Sequence, residues 1–568
     1  LISTIGFSYF RKSAEKKSPN KKAAEPKVEN QPAPVPQKQL SLVFDFKIDS
    51  KYFENTKGNS LLEELKYLES PSCDIVKIPH LLAFTDVETF PDIHSPLLGD
   101  SKFRTVFGGE GFLPEAAFID TSSFVLSQTN FSMFDSIDEA KKFLRGGPRK
   151  NLYFDPKEVR ACIVTCGGLC PGLNVVVREI VMSLYYNYNV REIYGIQFGY
   201  KGFYNYEWVK LEPNTVKKIH QNGGTFLGSS RGGFDKEKIL KSLLDKGINQ
   251  VYAIGGDGTH RGIFELFKEV TARKLNIAIC GIPKTIDNDI PLIDRSFGFE
   301  TCVEEAQRAI TSGEIEASAA EYGVGLIKLM GRNAGFIAMW ASLASRDVNI
   351  CLVPEFPFEL YGERGLLSFI YSRVLHKKRC VLVVAEGAGA AMKDAKLPDE
   401  GKDASGNVKP GDIGLFLRDE ITKYCKSKGM DLTLKYIDPT YMIRTVPANA
   451  RDKYICSFLA QSSIDGMMAG WTGFTTGNVN NRPCYIPISE LTKRTQKIAP
   501  EDRGWQRLLA STGQPSFINE EEKVAKDYEK NLKQKGKVKN IALQCQTIES
   551  FKHYIIIYCS LALKLSII

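Results

Sequence analysis

Two carboxylates only two residues apart stand out near the middle of the chain. Asp287 and Asp289 belong to the polar segment 283–291, which reads Pro-Lys-Thr-Ile-Asp-Asn-Asp-Ile-Pro and directly follows the apolar run 277–282. A short apolar run predicts a buried strand, and open α/β sheets bind ligands where such strands end. A carboxylate within hydrogen-bond reach can take the proton of a hydroxyl that attacks phosphorus. We expect Asp287 to be that base, although both aspartates could instead cap a loop.

A glycine-rich segment after another apolar run points to the same chemistry. Residues 251–254 are followed by Gly255-Gly256-Asp257-Gly258-Thr259. Backbone N–H groups of such a loop can bind phosphate, and its carboxylate suits Mg²⁺. The simpler interpretation is a turn in which Asp257 caps the next helix. With Lys284 available to neutralise phosphate charge, the two segments together predict phosphoryl transfer to a hydroxyl.

Further loops with glycines or cations follow other apolar runs. Each could be a tight turn or a surface charge by itself, but their shared position after strands favours one anion-binding site. The segments are Gly167 through Asn174, the loop 223–233 with Arg231, the loop 330–335 with Arg332, Glu386 in the segment 385–389, and 441–444 with Arg444.

The elements that must position these residues alternate along the chain. Strands alternating with helices predict a parallel sheet with helices on both faces. We predict strands at 160–166, 191–198, 250–254, 277–282, 323–329, 349–353 and 379–385, and helices at 173–186, 235–246, 260–274 and 300–313.

Length and composition indicate a soluble globular protein with more than one domain. The chain has 568 residues and a net charge of +9, of which a surplus of five positive charges lies in residues 1–40. That Lys-, Pro- and Ala-rich arm should be disordered. The remainder is nearly balanced, so we expect no nucleic-acid partner. The apolar stretch 554–568 is shorter than the roughly 20 residues of a membrane span and contains Lys564.

The cysteines are expected to be small buried hydrophobes rather than ligands or disulfides. Cys162 and Cys166 lie in a predicted strand, and Cys280 and Cys380 lie in other apolar runs. Such placement favours a reducing compartment. The spacing of Cys162, Cys166 and Cys170 permits a metal site, but no histidine is near. With six histidines in all, nucleophilic catalysis by histidine has little support.

Composition shifts divide the chain into segments. The predicted order is a disordered arm, an ordered N-terminal extension, a large α/β domain, a small α/β domain, segments that return to both domains, and a tail. Their predicted bounds are 1–40, 41–150, 151–300, 301–435, 436–517 and 518–568. Within the small domain, 396–412 is expected to be a surface loop.

From about Gly146 to about Phe517 the chain resembles the phosphofructokinase family, most closely its plant-type and protist ATP-dependent branch. The motifs quoted above occur in the family's order. The resemblance implies two doubly wound, Rossmann-like α/β domains with parallel sheets and the active site in the cleft between them, plus an N-terminal extension. It implies ATP-dependent phosphorylation of fructose 6-phosphate at the 1-hydroxyl, in glycolysis, with Mg²⁺ as cofactor.

The resemblance also implies roles for individual residues. Catalysis would use Asp287 as base together with Lys284 and Arg332, and Asp257 would hold Mg²⁺. The sugar phosphate would contact Thr285, Ile286, Asp287, Met330, Gly331, Arg332, Glu386, Tyr441, Met442, Ile443, Arg444 and Lys435. The nucleotide would contact Gly168, Arg231, Gly232, Gly256, Asp257, Gly258 and Thr259.

The phosphoryl donor is indicated by two positions. Family members that use ATP usually have glycine where this chain has Gly258, and members that use pyrophosphate have aspartate there. An aspartate would repel the α-phosphate of ATP, so Gly258 favours ATP. Lys284 is the residue that pyrophosphate enzymes carry, and its combination with Gly258 matches the mixed, ATP-using branch.

The sequence departs from the bacterial pattern at the sugar-phosphate site. Two arginines there, one of them lent across a subunit interface, are replaced by Gly323 and Lys435, and a histidine is replaced by Tyr441. These changes put the 6-phosphate contacts in question. The resemblance further implies an allosteric, cytoplasmic homo-oligomer, a dimer or tetramer, and Arg178 is a candidate effector residue. No membrane partner is expected.

Three alternatives stay open at this stage. The chain could be a pyrophosphate-dependent fructose 6-phosphate 1-phosphotransferase. It could be a non-catalytic regulatory member of the family, although Asp287 and Asp257 are both retained. NAD kinases and lipid kinases share the Gly-Gly-Asp-Gly-Thr loop, but they should lack the segment 283–289.

Overall fold

The computed structural model describes residues 75–85, 93–97, 117–129, 140–397 and 411–518. The predictions for the arm 1–40, for the interior of the loop 396–412 and for the tail beyond residue 518 lie outside these residues. The domain bounds drawn from composition stay predictions.

The strands of the described residues are, in chain order, β1 (Ile75–Val76), β2 (Ile93–His94), β3 (Phe124–Leu126), β4 (Lys142–Leu144), β5 (Asn151–Leu152), β6 (Arg160–Thr165), β7 (Glu192–Ile196), β8 (Val209–Lys210), β9 (Gln250–Gly255), β10 (Ala278–Pro283), β11 (Gly323–Leu329), β12 (Ile350–Leu352), β13 (Arg379–Ala385), β14 (Thr433–Ile437), β15 (Phe474–Val479) and β16 (Arg482–Pro487).

The α-helices of the same residues are α1 (Leu173–Met182), α2 (Gly202–Asn205), α3 (Pro213–Val216), α4 (Lys236–Asp245), α5 (Asp257–Ala272), α6 (Phe299–Ser318), α7 (Phe336–Ser345), α8 (Leu366–Lys377), α9 (Ile413–Ser427), α10 (Thr440–Arg444), α11 (Ala450–Met468), α12 (Ile488–Leu491) and α13 (Arg503–Thr512).

The larger sheet has seven strands in the order β16-β15-β10-β9-β6-β7-β8. Its five central strands are parallel, and the edge strands β16 and β8 are antiparallel to their neighbours. Every residue of β9 and β10 is buried. Strands that are apolar along their whole length are typical of a sheet covered on both faces, so this sheet forms the core of the larger lobe.

The smaller sheet has four parallel strands in the order β12-β13-β11-β14. Its central strands β11 and β13 are almost wholly buried. With the larger sheet it confirms the expected mixed α/β architecture of two Rossmann-like lobes. The carboxyl ends of β11 and β13 present the residues after position 329 and after position 385 at one edge of this sheet.

The seven strands predicted from apolar runs are all present, with ends that differ by at most two residues. Four other strands of these sheets, β8, β14, β15 and β16, were missed. The strand β15 is central but contains Thr475 and Thr476, both buried. The Thr475 hydroxyl donates to the carbonyl of Gly281 at 2.9 Å, so the sheet pairs this buried polar group. In the sequence, the threonines interrupt the apolar run that would have predicted the strand.

Part of the N-terminal extension packs on the larger lobe. The His80 ring lies edge-on to Trp471 with centroids 4.9 Å apart, and its Nε2 contacts the carbonyl oxygen of Ala469 at 2.8 Å. Burial lowers the pKa of His80 to about 4. The neutral imidazole therefore docks the extension as a hydrogen-bonded core residue.

The cysteines that lie in apolar runs are buried, as expected for small hydrophobic side chains. Cys162, Cys166, Cys280 and Cys380 are buried thiols without disulfides. In the same part of the chain, no group of three or more His, Cys, Asp or Glu side chains could hold a metal ion. Within the described ranges, no helix has the length and apolarity needed to cross a bilayer.

A buried carboxyl group joins α11 to the end of the helical segment that follows α1. The Tyr188 hydroxyl donates to Asp465 Oδ1 at 2.6 Å, and both side chains are buried. Burial raises the pKa of Asp465 from 3.8 to about 7. The folded protein therefore keeps this proton at pH values where the unfolded chain has released it.

We expect the free energy of unfolding to fall as the pH rises from about 4 to about 7, by up to about 4 kcal/mol from this group. The sign follows because a raised carboxyl pKa gives stability that is complete below the unfolded pKa and is lost towards the folded one. Asp465→Asn should remove this part of the slope in urea unfolding at pH 5 and pH 8. Asp245→Asn, at an exposed helix end, is the control, and equal slopes for wild type and Asp465→Asn would contradict the assignment.

Candidate active site

Three loops of the larger lobe meet because they follow three adjacent strands. Gly167 and Gly168 come after β6, Gly256 comes after β9, and Lys284 comes after β10, and these strands are neighbours in the order β10-β9-β6. The carboxyl ends of parallel strands lie at one edge of the sheet. Segments more than 100 residues apart in the chain therefore line one surface.

The glycine loop after β6 turns directly into α1. Gly172, just before the helix, has φ of 105°, and a Cβ there would lie 2.6 Å from the sulfur of Cys456. Only glycine fits this backbone conformation and this close approach. The tight turn brings the backbone of Gly168 to the cleft, where the guanidinium of Arg231 lies near it.

The helix α5 begins three residues earlier than the sequence predicts. Asp257 and Gly258 form its first turn, with Gly256 as the N-cap residue. Both Asp257 and Gly258 are exposed. The N–H groups of Asp257 and Gly258, which precede the first intrahelical hydrogen bonds, and the positive end of the helix dipole therefore face the cleft beside the carboxylate of Asp257. A Cβ on Gly258 would meet nothing within 4 Å, so the position is open towards the cleft.

Lys284 joins two of these loops from a buried position. Its side chain is 7% exposed, and its Nζ donates to the carbonyl oxygen of Gly168 at 2.7 Å. Burial lowers the pKa of Lys284, and the nearby Arg231 acts in the same direction. The lysine carries its charge against a neutral carbonyl, so that charge is available to an anion in the cleft.

Thr285 orders the carboxylates of Asp287 and Asp289. Its hydroxyl accepts from the backbone N–H of Asp287 at 3.1 Å and donates to Asp289 Oδ1 at 3.2 Å. Ser296 Oγ donates to the carbonyl of Thr285 at 2.5 Å, and its N–H donates to Asn288 Oδ1 at 2.9 Å. These bonds hold the loop so that Asp287 and Asp289 both line the cleft.

Asp287 is a half-buried residue, and the Oδ1 atom of its carboxylate is fully buried. Its Oδ1 has no hydrogen-bond partner among the described residues. Burial raises the pKa of Asp287 well above its ordinary value, and the charges of Asp289 and Glu386 raise it further, against the opposing effect of Arg332 and Lys284. Such a group binds a proton readily, which suits a general base.

The pKa of Asp289 is affected by a third carboxylate, that of Asp257. Burial raises its pKa to about 6, and the charge of Asp257 is the next cause. Asp257 and Asp289 therefore face the same space from two loops. Mg²⁺ commonly binds one or two carboxylates plus phosphate oxygens and waters, so this pair fits such an ion.

The smaller lobe faces this surface with its own strand ends. Met330 and Arg332 follow β11, and Glu386 follows β13. A Cβ on Gly387 would lie 1.9 Å from the carbonyl oxygen of Arg332, so glycine permits the two loops to pack this closely. Burial raises the pKa of Glu386, with Arg332 as the main opposing charge.

Two adjoining cavities of about 590 Å³ and about 660 Å³ occupy the cleft between the lobes. Their shared lining residues include Gly168, Arg231, Met330, Arg332 and Arg444. The first cavity extends along α5, and the second extends towards α9 and α10. The cleft is continuous and rich in cationic side chains, as a site for two phosphorylated ligands requires.

Most of the residues that the sequence analysis selected line these cavities. The lining residues are Gly168, Arg231, Gly232, Gly256, Asp257, Gly258, Thr259, Lys284, Thr285, Ile286, Asp287, Met330, Arg332, Glu386, Tyr441 and Arg444. The structure thus brings these side chains together, and their individual roles stay predictions.

Four selected residues do not line the cavities. Gly331 shapes its loop, and its carbonyl accepts from the N–H of Gly387 at 3.1 Å. Ile443 is a core residue, Met442 is 72% exposed, and Lys435 pairs with Glu316 at 3.5 Å. Their proposed contacts with the sugar phosphate stay predictions.

Other lining residues were not selected. Tyr200, Phe234 and Arg261 line the cavity along α5, and Lys328, Asp412 and Asp438 line the other cavity. Lys328 could have been found from the sequence, because a lysine inside an otherwise apolar strand indicates a buried partner or a functional role. The remaining residues come from separate segments that only the fold brings together.

Comparison with known proteins agrees with this geometry. The family model "Phosphofructokinase" matches residues 160–467. The chain is 55% identical to ATP-dependent 6-phosphofructokinase 1 of Arabidopsis thaliana, over 67% of this chain and 81% of that protein. It is 54% identical to ATP-dependent 6-phosphofructokinase 7, over 66% and 78%, and 48% identical to chloroplastic ATP-dependent 6-phosphofructokinase 4, over 78% and 82%, of the same plant.

Solved structures share the fold at lower identity. The pyrophosphate-dependent phosphofructokinase of Marinobacter aquaeolei is 17% identical, with a TM-score of 0.51, over 64% of this chain and 92% of that chain. The pyrophosphate-dependent phosphofructokinase of Nitrosospira multiformis is also 17% identical, with a TM-score of 0.53 and the same coverage. These similarities show the two-lobed fold.

Proposed function

The chain belongs to the phosphofructokinase family, and we propose that it transfers the γ-phosphoryl group of ATP to the 1-hydroxyl of fructose 6-phosphate, as a glycolytic kinase. The observation that carries the proposal is the buried, unpaired Oδ1 of Asp287 in a cleft lined by Lys284 and Arg332. The relatives that are about half identical are named ATP-dependent 6-phosphofructokinases, which supports the same reaction here.

The smaller lobe and the loop after β10 would hold the sugar phosphate. Glu386 suits a sugar hydroxyl, and Arg444 and Arg332 suit the phosphate. Thr285, Ile286, Met330 and Tyr441 would complete the pocket, with Gly331, Met442 and Ile443 acting through their backbone. Lys435 does not line the cavities of its own cleft and pairs with Glu316, so we assign it to the site of a second copy.

The larger lobe would hold the nucleotide. The backbone of Gly168, Gly232 and Gly256 can approach the phosphates, and Arg231 lies over Gly168. The first turn of α5 would bind the β- and γ-phosphates through the N–H groups of Asp257 and Gly258 and through its dipole, since the N–H of Thr259 already donates to the carbonyl of Gly256.

Proton transfer in this arrangement starts from Asp287. The carboxylate takes the proton of the 1-hydroxyl while that oxygen forms a bond to the γ-phosphorus, and the bond to the bridging oxygen of ADP breaks. Lys284 and Arg332 stabilise the charge on the transferring group. We assign Mg²⁺ to Asp257 with support from Asp289, and when bound it would neutralise phosphate charge.

We also propose a cytoplasmic homo-oligomer, a dimer or a tetramer. Tyr441, which lines the cleft, and the adjacent Met442 are both strongly exposed, and Lys435 is about half exposed; this exposure supports a neighbouring subunit. The relatives with the higher identities have names without an organelle, whereas the relative at 48% is chloroplastic, which favours the cytoplasm.

Asp287→Asn should lower kcat by about 10²–10⁴-fold, because the amide cannot accept the proton. The KM for fructose 6-phosphate should change little, since the amide keeps the shape of the side chain. Steady-state kinetics with ATP tests this, with Asp419→Asn on an exposed helix face as the control. An unchanged kcat would remove Asp287 from the mechanism.

The pH dependence of kcat/KM should change when a charged neighbour of Asp287 is removed. Because Asp287 must be deprotonated to act and its pKa is raised, kcat/KM should rise with pH through an acid limb. Asp289→Asn removes the largest charge effect that raises this pKa, so the midpoint of the acid limb should move to lower pH. A midpoint that stays in place or moves up would contradict this, whatever the maximal rate.

Gly258→Asp should weaken ATP use and favour pyrophosphate. The new side chain has open space, so the fold should tolerate it, and its charge would repel the α-phosphate. We expect the KM for ATP to rise by at least about tenfold, which corresponds to about 1.4 kcal/mol. Gly258→Ala is the steric control and should retain ATP use. Both donors should be assayed with each variant, and a wild-type preference for pyrophosphate would overturn the choice of donor.

A further inference from the structure

We propose that Lys328 is a positioning residue that neutralises two fixed carboxylates at the sugar-phosphate end of the cleft and so sets the affinity for a phosphorylated sugar. This inference rests on the proposed function. It assigns a role to a residue that the sequence analysis did not select.

Lys328 is held between two carboxylates from different segments. Its Nζ lies 2.6 Å from Asp412 Oδ2 and 2.9 Å from Asp438 Oδ2, and its side chain is 11% exposed. Burial lowers the pKa of Lys328, but the hydrogen bonds with Asp412 and Asp438 outweigh it and raise the pKa above its ordinary value. The lysine is therefore charged at neutral pH.

Both carboxylates are fixed by other hydrogen bonds. Asp412 caps α9 and accepts from the N–H groups of Gly414 at 2.8 Å and Leu415 at 3.0 Å. Asp438 precedes α10 and accepts from the N–H of Thr440 at 3.1 Å and from its hydroxyl at 2.5 Å. Because these bonds anchor them, the two carboxylates cannot swing out of the cleft if the lysine is lost.

The charge balance of this cavity depends on Lys328. Its lining contains four cationic side chains, Lys328, Arg231, Arg332 and Arg444, and three anionic ones, Glu386, Asp412 and Asp438. The net charge is thus +1 with the lysine and zero without it. A phosphate ester carries close to two negative charges at pH 7, and burial of the site strengthens the repulsion by each uncompensated carboxylate.

Lys328 also connects the sheet to the helix that carries two lining residues. Asp438 links the lysine, on β11, to the first residue of α10. Tyr441 and Arg444 lie on this helix and line the same cavity. Loss of the lysine should therefore disturb the sugar-phosphate side of the cleft and leave the nucleotide side, built on α5, unchanged.

The test is steady-state kinetics of the full chain with ATP and fructose 6-phosphate. Lys328→Met should raise the KM for fructose 6-phosphate by at least about tenfold and keep the KM for ATP within about twofold. Lys378→Met is the matched control, since Lys378 is an exposed lysine at the opposite end of the same sheet. It should change neither constant.

The double variant Lys328→Met/Asp438→Asn separates charge from architecture. It restores the net charge of the cavity, and the asparagine oxygen can still accept from the N–H of Thr440. We expect it to recover most of the lost affinity for fructose 6-phosphate. The excess KM of the single variant should also shrink between about 20 mM and about 300 mM salt, because screening weakens the repulsion.

Several outcomes would overturn the inference. They are a KM for fructose 6-phosphate that Lys328→Met leaves unchanged, equal rises in both KM values, and a folded double variant that binds the sugar phosphate no better than the single one. If Lys328→Met fails to fold, a folded double variant whose KM for fructose 6-phosphate lies at least about tenfold above the wild-type value overturns the inference. A wild-type protein that does not phosphorylate fructose 6-phosphate would instead overturn the proposed function. The wild-type assay and the comparison of variants thus distinguish failure of the proposed function from failure of this inference.

Discussion

The site depends on the cost of burying the Oδ1 atom of Asp287 where none of the described residues offers it a hydrogen bond. An isolated buried charge is expensive, and a protein offsets it with nearby opposite charges or by keeping the proton. Here Lys284 and Arg332 favour the charged form, while burial and Asp289 favour the neutral one. The two lobes have to meet for this balance to exist, because Lys284 belongs to the larger lobe and Arg332 to the smaller.

Each lobe contributes a nearly buried lysine from a central strand or its end, and the two lysines differ in what they face. Lys284 donates to a neutral carbonyl, and its pKa is lowered. Lys328 lies between two carboxylates, and its pKa is raised. In the proposed mechanism, the charge of Lys284 is therefore available to the transferring phosphoryl group. The charge of Lys328 is neutralised by Asp412 and Asp438. In the proposed role, its effect on the ligand is to cancel the repulsion that these two carboxylates would exert.

The sequence was sufficient to predict the strands that are apolar throughout and to place the residues directly after them. Asp287, Asp257 and Arg332 follow such strands, so periodicity and chain order placed them correctly at the cleft. Thr475 concealed β15 because its polarity is satisfied only by the carbonyl of Gly281 in the neighbouring strand. Asp412 and Asp438 could not be found for a similar reason, since each looks like an ordinary capping residue until β11 brings Lys328 to both.

Under the proposed function, the position of Gly258 explains how one backbone site could decide the donor without touching the reacting atoms. The sequence placed it in a loop, but it belongs to the first turn of α5, where the N–H groups and the dipole already favour phosphate. A side chain would have room there, so neither packing nor backbone conformation requires glycine. The remaining physical reason lies in the ligand. A third phosphate must pass this turn when the donor is a nucleoside triphosphate, and any negative charge at residue 258 would oppose the attraction that the helix provides.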